Sequence, residues 1–274
     1  MIFTLGPMLA SFVFSLTNYR VAAAHNSFVG LENYIRLFSG KDPLFYKSLR
    51  VTFTYALMSV PLNLTFAFGL AMLMNRDFKG KAIFRSIYYL PTIVPVVATS
   101  LIWTWLLDPD LGLINTILRQ LNLPTSKFIY QESTVLPSLA LMNLWTCGGT
   151  MVIFLAGLQD VPRVMYEAAE IDGSNWFHKL IYITLPMMSS TIFFNLVMGI
   201  INGLQTFTQS FIMTQGGPNN GSLFFVYYLY REAFELQEMG KACAIAWVLF
   251  IIIFALTMLV FRTSRSWVYY EGER

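Results

Sequence analysis

The residues best placed to do chemistry form one short polar segment, Asp160-Val161-Pro162-Arg163-Val164-Met165-Tyr166-Glu167-Ala168-Ala169-Glu170-Ile171-Asp172-Gly173. Asp160 can cap a helix, Pro162 is tolerated only in a first turn, and Gly173 can take the left-handed conformation that ends one. The spacing therefore predicts a helix of about ten residues. Ser174 is expected to cap a second helix through Trp176 and Phe177 toward Leu185-Pro186. A helix this short is not stable alone in water, and Met165, Tyr166 and Ile171 are poorly suited to face solvent. The segment is expected to dock into something.

A second set of candidates is neutral. Asn195, Gly199, Asn202, Thr206 and Gln209 recur in steps of four, three, four and three, which a continuous helix would place on one face, with Gln205 at its border. Amides are unfavourable against lipid, so this stripe is expected to face a bundle interior. Small and amide residues commonly pack membrane helices, but amides and hydroxyls also suit sugar hydroxyls, which both donate and accept hydrogen bonds. Asn143, Trp145, Thr146, Cys147, Gly148, Gly149 and Thr150 form a similar group. Trp145 could offer its ring face to a sugar or pack in a core. Gly148-Gly149 could permit a bend or a close approach. Thr99 and Trp103 are weaker candidates.

Several chemistries are excluded. The phosphate-cradling pattern G-x-x-x-x-G-K-[ST] fails at each Gly-Lys pair, 40–41, 80–81 and 240–241, so no ATP site is expected on this chain. No apolar stretch contains His, Asp or Glu, which leaves neither a nucleophile with its base nor a metal cluster. His25 and His178 fall in loops, and Cys147 and Cys243 read as small buried side chains. No catalytic or metal-ligating residue is assigned. A net charge of +3 spread through loops forms no basic stripe, so nucleic acid is not an expected partner.

The elements that must position these residues are membrane helices. Only 12% of the 274 residues are charged and 56% are apolar, whereas a water-soluble domain carries roughly twice that charged fraction. Charge is absent from residues 1–19, 51–75, 86–107, 133–159, 180–230 and 242–261. Crossing a hydrocarbon core takes about 20 helical residues, so five stretches each supply one span. The long stretch supplies another near 185–212 before Gly216-Gly217-Pro218-Asn219-Asn220-Gly221 interrupts it. Residues 223–230 are too few to cross, although a re-entrant segment at 224–230 is the rival reading. The fold expected is all-α, an integral membrane protein of about six spans, one domain over 1–274 with its core at about 49–262 and its polar loop at 160–186. An apolar start followed by Ala22-Ala23-Ala24 could be a signal peptide, but no Lys or Arg precedes it, and a retained first span is preferred.

Lys and Arg divide evenly between the two sets of loops, but Arg76, Lys79, Lys81 and Arg85 crowd one short hairpin. That density favours an inner location for residues 76–85, 160–179 and 262–274. Residues 111–121 and 30–38 carry apolar residues at helical spacing and are expected to lie on the outer surface or cap the bundle.

Glu167-Ala168-Ala169, Gly173 six positions after Glu167, then Ile183, Leu185 and Pro186 resemble the EAA loop, E-A-A-x₃-G-x₉-I-x-L-P, of permease subunits in bacterial ABC importers. The resemblance extends over nearly the whole chain and narrows to the carbohydrate-uptake permeases. It is carried by Val29-Gly30-Leu31-Glu32-Asn33-Tyr34, Lys79-Gly80-Lys81, Phe84-Arg85, Leu90-Pro91, Gly112-Leu113-Ile114-Asn115, Leu155-Ala156-Gly157-Leu158-Gln159 and Thr214-Gln215-Gly216-Gly217-Pro218. It implies the type I permease fold and a bacterial or archaeal plasma membrane, with the EAA loop and C-terminus cytoplasmic. The implied function is uptake of a sugar or oligosaccharide, not enzymatic, with a second permease, two ATPase subunits holding ATP and Mg, and an extracytoplasmic solute-binding protein. The implied coupling residues are Met165, Tyr166, Glu167, Ala168, Ala169, Asp172 and Gly173. Positions near sugar would be Thr146, Cys147, Thr150, Gly203 and Thr206, joining Trp145, Asn202, Gln205 and Gln209. The alternative is a self-contained ion-coupled transporter, which the absence of intramembrane charge disfavours. The same absence favours a neutral oligosaccharide.

Overall fold

A computed structural model describes residues 2–21 and 26–269. The expectations for Ala22-Ala23-Ala24, His25 and residues 270–274 lie outside the described residues. In chain order the helices are α1 (Ile2–Ser15), α2 (Glu32–Phe38), α3 (Pro43–Asn75), α4 (Lys81–Ile93), α5 (Val96–Leu106), α6 (Leu113–Gln120) and α7 (Glu132–Trp145). They continue as α8 (Gly148–Asp160), α9 (Arg163–Ile171), α10 (Trp176–Lys179), α11 (Leu185–Met187), α12 (Ser189–Leu204), α13 (Phe225–Tyr230) and α14 (Met239–Ser264). Helix dominates, as the apolar stretches require, because lipid offers no partner to unpaired backbone groups.

Among the described residues two helices, α3 and α14, are long and apolar enough to cross a membrane unaided. Three more candidates are broken pairs, α4 with α5, α7 with α8, and α10–α11 with α12, and α1 is a shorter apolar helix. The stretches expected to be single straight spans are therefore interrupted. Proline explains two of the interruptions. Val94 is extended at ψ 129° because the ring of Pro95 disfavours helical conformation in the residue before it. Pro186 lies in α11, and the chain bends by 68° before α12. Between α7 and α8, the Thr146 hydroxyl donates to the Asn143 carbonyl at 3.1 Å, the kind of back-bond that distorts a helix.

The chain falls into two compact units. One comprises Met1–Ala56, Val96–Leu139 and Gly203–Leu256. Its core joins Leu37, Phe45, Leu223, Phe225, Tyr228 and Ile245. The six-residue α13 packs into that core with Phe225, Tyr227 and Tyr228 buried, and the Phe225 N–H donates to Thr52 Oγ1 at 2.8 Å. It is neither a span nor an exposed loop. Asn33 donates to the carbonyls of Ser15 and Thr17 at 2.9 and 2.8 Å, while the Tyr34 and Ser15 hydroxyls lie 2.8 Å apart. These bonds fasten α2 to the end of α1. In α6, Asn115 is fully buried, donating to Pro109 and Ser126 and accepting from the Ser126 N–H, whereas Leu113, Ile117 and Leu121 are exposed. This arrangement suits a helix whose apolar side meets lipid.

The other unit comprises Leu57–Pro95, Ala140–Asn202 and Thr257–Arg274. Its core joins Ala67, Leu70, Met151, Phe154, Leu158 and Met188, with Tyr166 and Ile183 packed against it. Glycines set the closest approaches. A Cβ on Gly148 would lie 2.2 Å from the Tyr88 carbonyl oxygen, and one on Gly157 would lie 2.7 Å from Thr191 Oγ1.

Candidate functional site

The polar loop folds much as its spacing requires, with the caps displaced. Asp160, expected to cap the short helix, instead closes α8. Pro162 stands at the start of α9 in extended conformation and no side chain caps the helix. The far end matches expectation. Asp172 N–H donates to the Ala168 carbonyl at 3.2 Å, Gly173 N–H to Glu170 at 3.0 Å and Ser174 N–H to Ala169 at 2.9 Å, with Gly173 at φ +74°. These bonds close the orphan carbonyls of the last turn. Asn175, not Ser174, caps α10, its side chain accepting from the His178 N–H at 2.9 Å.

Two contacts brace α9 from one side. The Tyr166 hydroxyl lies 3.0 Å from Thr184 Oγ1, and Glu170 pairs with Lys179 at 2.7 Å. Thr184 Oγ1 is also within donating distance of the Lys179 carbonyl, at 3.2 Å. The sequence reading did not single out Thr184, Glu170 or Lys179. Their signal was available as a Tyr and an acidic residue one helical turn apart facing a Lys beyond the turn. Between this brace and the end of α3 lies a cleft of about 470 Å³, bordered by Arg76, Leu158, Tyr166, Glu170 and Trp176.

The rest of α9 is uncovered; none of its residues is buried. Val164, Glu167, Ala168 and Ile171 follow helical spacing on one face, all exposed, with Ile171 at 88%. Met165 and Asp172 are also exposed, and Ala169 is half-buried. The helix thus presents an apolar face carrying one carboxylate, with a small residue beside it that permits close approach.

The candidates for sugar contact divide between the units. In the second unit, Asn202 and Trp145 are exposed, Thr146 and Thr150 are half-buried, and Cys147 is only 2% exposed, within the apolar core. Cys147 is thereby placed as a packing residue. Asn195 donates to the Thr191 carbonyl of its own helix at 3.0 Å and Gly199 abuts Val60, so these two stripe residues serve packing. In the first unit, Gly203 is buried, Gln205 exposed, and Thr206 and Gln209 half-buried. The expected continuous stripe stops at Leu204. Residues 205–207 are not helical, and a π-helical turn follows at Ser210–Thr214. Thr206 and Gln209 therefore do not extend the face that carries Asn202.

Sequence reasoning also missed a charged cluster in the first unit. Lys241 is 7% exposed and lies 2.6 Å from Asp42 and 2.9 Å from Glu232, and the Tyr228 hydroxyl donates to Asp42 at 2.6 Å. Burial pushes the Glu232 carboxyl up, more than Lys241 pulls it down. For Asp42 burial acts in the same direction, but hydrogen bonds from Lys241 and Tyr228 together hold it below its ordinary value. Among the described residues no group of three His, Cys, Asp or Glu could hold a metal ion.

Known proteins are similar to this chain in sequence or in fold. Residues 63–269 match the family described as binding-protein-dependent transport system inner membrane component. The chain is 41% identical over 275 residues to the probable ABC transporter permease protein YesP of Bacillus subtilis, covering 99% of this chain and 88% of that protein. It is 31% identical over 277 residues to the arabinooligosaccharides transport system permease protein AraP of the same organism, covering 100% and 86%. A chain from the crystal structure of a bacterial alginate ABC transporter with its alginate pentasaccharide-bound periplasmic protein superposes with a TM-score of 0.83, covering 96% of this chain and 89% of that one at 20% identity; that likeness bears on fold. An all-helical body, an EAA-type loop closed by a left-handed Gly173 and a family match over most of its length place the chain among the inner membrane components of binding-protein-dependent transport systems.

Proposed function

We propose that the chain is the membrane-spanning permease for a sugar or oligosaccharide, working with a second permease, two ATPase subunits and an extracytoplasmic binding protein. The observation that carries this reading is the two-sided character of α9: tied to its own unit through Tyr166 and Glu170, it leaves Val164, Glu167, Ala168 and Ile171 uncovered. An apolar face with one carboxylate is suited to a cleft on another protein. A helix braced at 3.0 and 2.7 Å moves with the segment behind it. Closure of ATPase subunits around ATP and Mg would thus be transmitted to the spans, shifting the pathway between outward-open and inward-open states. In this reading α9 and the C-terminus are cytoplasmic, the whole chain acts as one permease domain, and hydrolysis belongs to the partners. Asn202, Gln205, Thr206 and Trp145 are the candidates for sugar contact, since they combine amides, a hydroxyl and an aromatic face without charge. Support for carbohydrate comes from the relative named for arabinooligosaccharide transport.

The test is reconstitution of the complete importer with Ala168→Trp, which fills the uncovered face of α9. ATP-driven sugar uptake and sugar-stimulated ATPase activity should both fall at least tenfold while the variant still inserts. Undiminished uptake, or uptake by the chain without any ATPase, overturns the reading.

A further inference from the structure

α3 begins at Pro43, eight residues before the charge-free stretch, so Lys47 and Arg50 stand in its opening turns. The two cations differ. Lys47 is engaged: it pairs with Glu132 at 3.3 Å and donates to the Asn219 carbonyl, and the Asn219 amide reaches the other Glu132 oxygen at 3.4 Å. Lys47 and Glu132 thus face each other as opposite charges and offset one another within the cleft. Arg50 is exposed and makes no hydrogen bond or ion pair among the described residues. Both border a cleft of about 590 Å³ in the first unit, together with Tyr46, Thr54, Glu132 and Gly221. The cleft therefore carries one uncompensated positive charge.

Tyr46, Arg50 and Thr54 are four residues apart, which stacks a phenol ring, a guanidinium and a hydroxyl on one face of α3 at intervals of roughly 6 Å. We propose that this cleft receives an acidic sugar, with Arg50 binding its carboxylate. The planar guanidinium fork matches a carboxylate in two parallel hydrogen bonds. Tyr46 supplies an apolar ring to lie against a sugar face, and Thr54 both donates to and accepts from hydroxyls. The inference rests on the sugar-permease reading and narrows its substrate class, replacing the neutral sugar suggested by uncharged spans. Arg50, just outside the charge-free stretch 51–75, belongs to α3 itself.

The experiment compares a uronate trisaccharide with its fully methyl-esterified form, equal in ring number but uncharged. Uptake is measured in proteoliposomes holding the complete importer and saturating loaded binding protein. Arg50→Gln should lower uronate uptake at least tenfold and ester uptake less than twofold, and Arg50→Lys, which keeps charge without the fork, should fall between. Because Arg50 has no hydrogen-bond or ion-pair partner among the described residues, retained ester uptake certifies an intact fold. The proposal is overturned if both sugars fall together, as a lipid or binding-protein contact at Arg50 would produce, if neither falls, or if the unaltered importer carries only the ester. An importer that hydrolyses ATP yet moves neither of these sugars overturns this proposal alone; the broader sugar reading fails only if a neutral oligosaccharide is not carried either.

Discussion

The Lys241 ammonium lies 2.6 Å from the Asp42 carboxylate, closing a contact between residues 199 positions apart. Glu232 stands on its other side at 2.9 Å. One lysine therefore ties the head of α3, the turn after α13 and the start of α14 together. Removing a partner from a buried pair costs about 3–5 kcal/mol because the remaining charge loses its compensation. Lys241→Met leaves the buried Glu232 and half-buried Asp42 carboxylates without their shared cation and should lower thermal stability in detergent more than substitution of an exposed charge such as Asp77→Asn.

The two carboxylates should behave oppositely with pH. Asp42 is held below its ordinary value, so its contribution is complete above about pH 4 and is lost as pH falls through the depressed value. Glu232 is raised by burial, so its contribution is complete below its unfolded value near about 4.3 and declines as pH rises through the raised one. One Glu232 oxygen is buried without a partner. Glu232→Gln should therefore be neutral or mildly stabilising at pH 7, and Asp42→Asn destabilising. Melting temperatures across pH 4–8 would show both; equal losses would contradict the assignment.

Tyr166 and Thr184 offer a test of the brace behind α9. Tyr166→Phe keeps the ring against the core but removes a hydrogen bond worth about 0.5–1.5 kcal/mol. Stability should fall by about that much, with the ratio of sugar moved to ATP hydrolysed falling further. The Glu170–Lys179 pair is partly exposed, with side chains 64% and 20% accessible. Breaking it alone should cost about 1 kcal/mol or less.

Adjacent glycines at the α7–α8 break should respond differently. A Cβ at Gly148 would meet Tyr88 oxygen at 2.2 Å and Tyr89 Cα at 2.8 Å, both backbone atoms that cannot swing aside. At Gly149 the nearest atom is a Thr92 methyl at 3.4 Å, an ordinary contact. Gly148→Ala should destabilise by about 1–3 kcal/mol or more through overpacking, and Gly149→Ala should be tolerated. Similar expression and melting of the two variants would refute this.

How much of this was legible in the sequence depends on the range of the signal. Runs without charge located the apolar bodies of α3 and α14, because desolvating one Lys or Asp in lipid is costly enough to police every position. They misplaced the helix starts: Lys47 and Arg50 continue α3 outward, since a helix does not end where hydrocarbon does. The loop 160–173 was legible because Pro162 and Gly173 act through their own backbone angles. Cap identity was not, as Asp160, Ser174 and Asn175 all qualify by type and only geometry selects among them. Helical periodicity carried the amide stripe past Leu204 because it assumes the helix continues. The Asp42–Lys241–Glu232 cluster depended on three distant segments meeting, for which one sequence holds no signal.

Gly173 ends α9 for a reason opposite to that at Gly148. Its φ of +74° lies in the left-handed region, yet a Cβ there would find nothing within 4 Å. Space is free and only the backbone conformation resists. Gly173→Ala should therefore cost about 1–2 kcal/mol, and Gly173→Asn less, since Asn enters the left-handed region more readily than Ala. Valine, branched at Cβ, should cost most and shift the turn that sets the angle between α9 and α10. If transport follows that order, Asn above Ala above Val, the glycine acts through its turn. If all three abolish transport equally while the chain still melts normally, a partner must pack against the bare Cα, and the turn account of Gly173 fails.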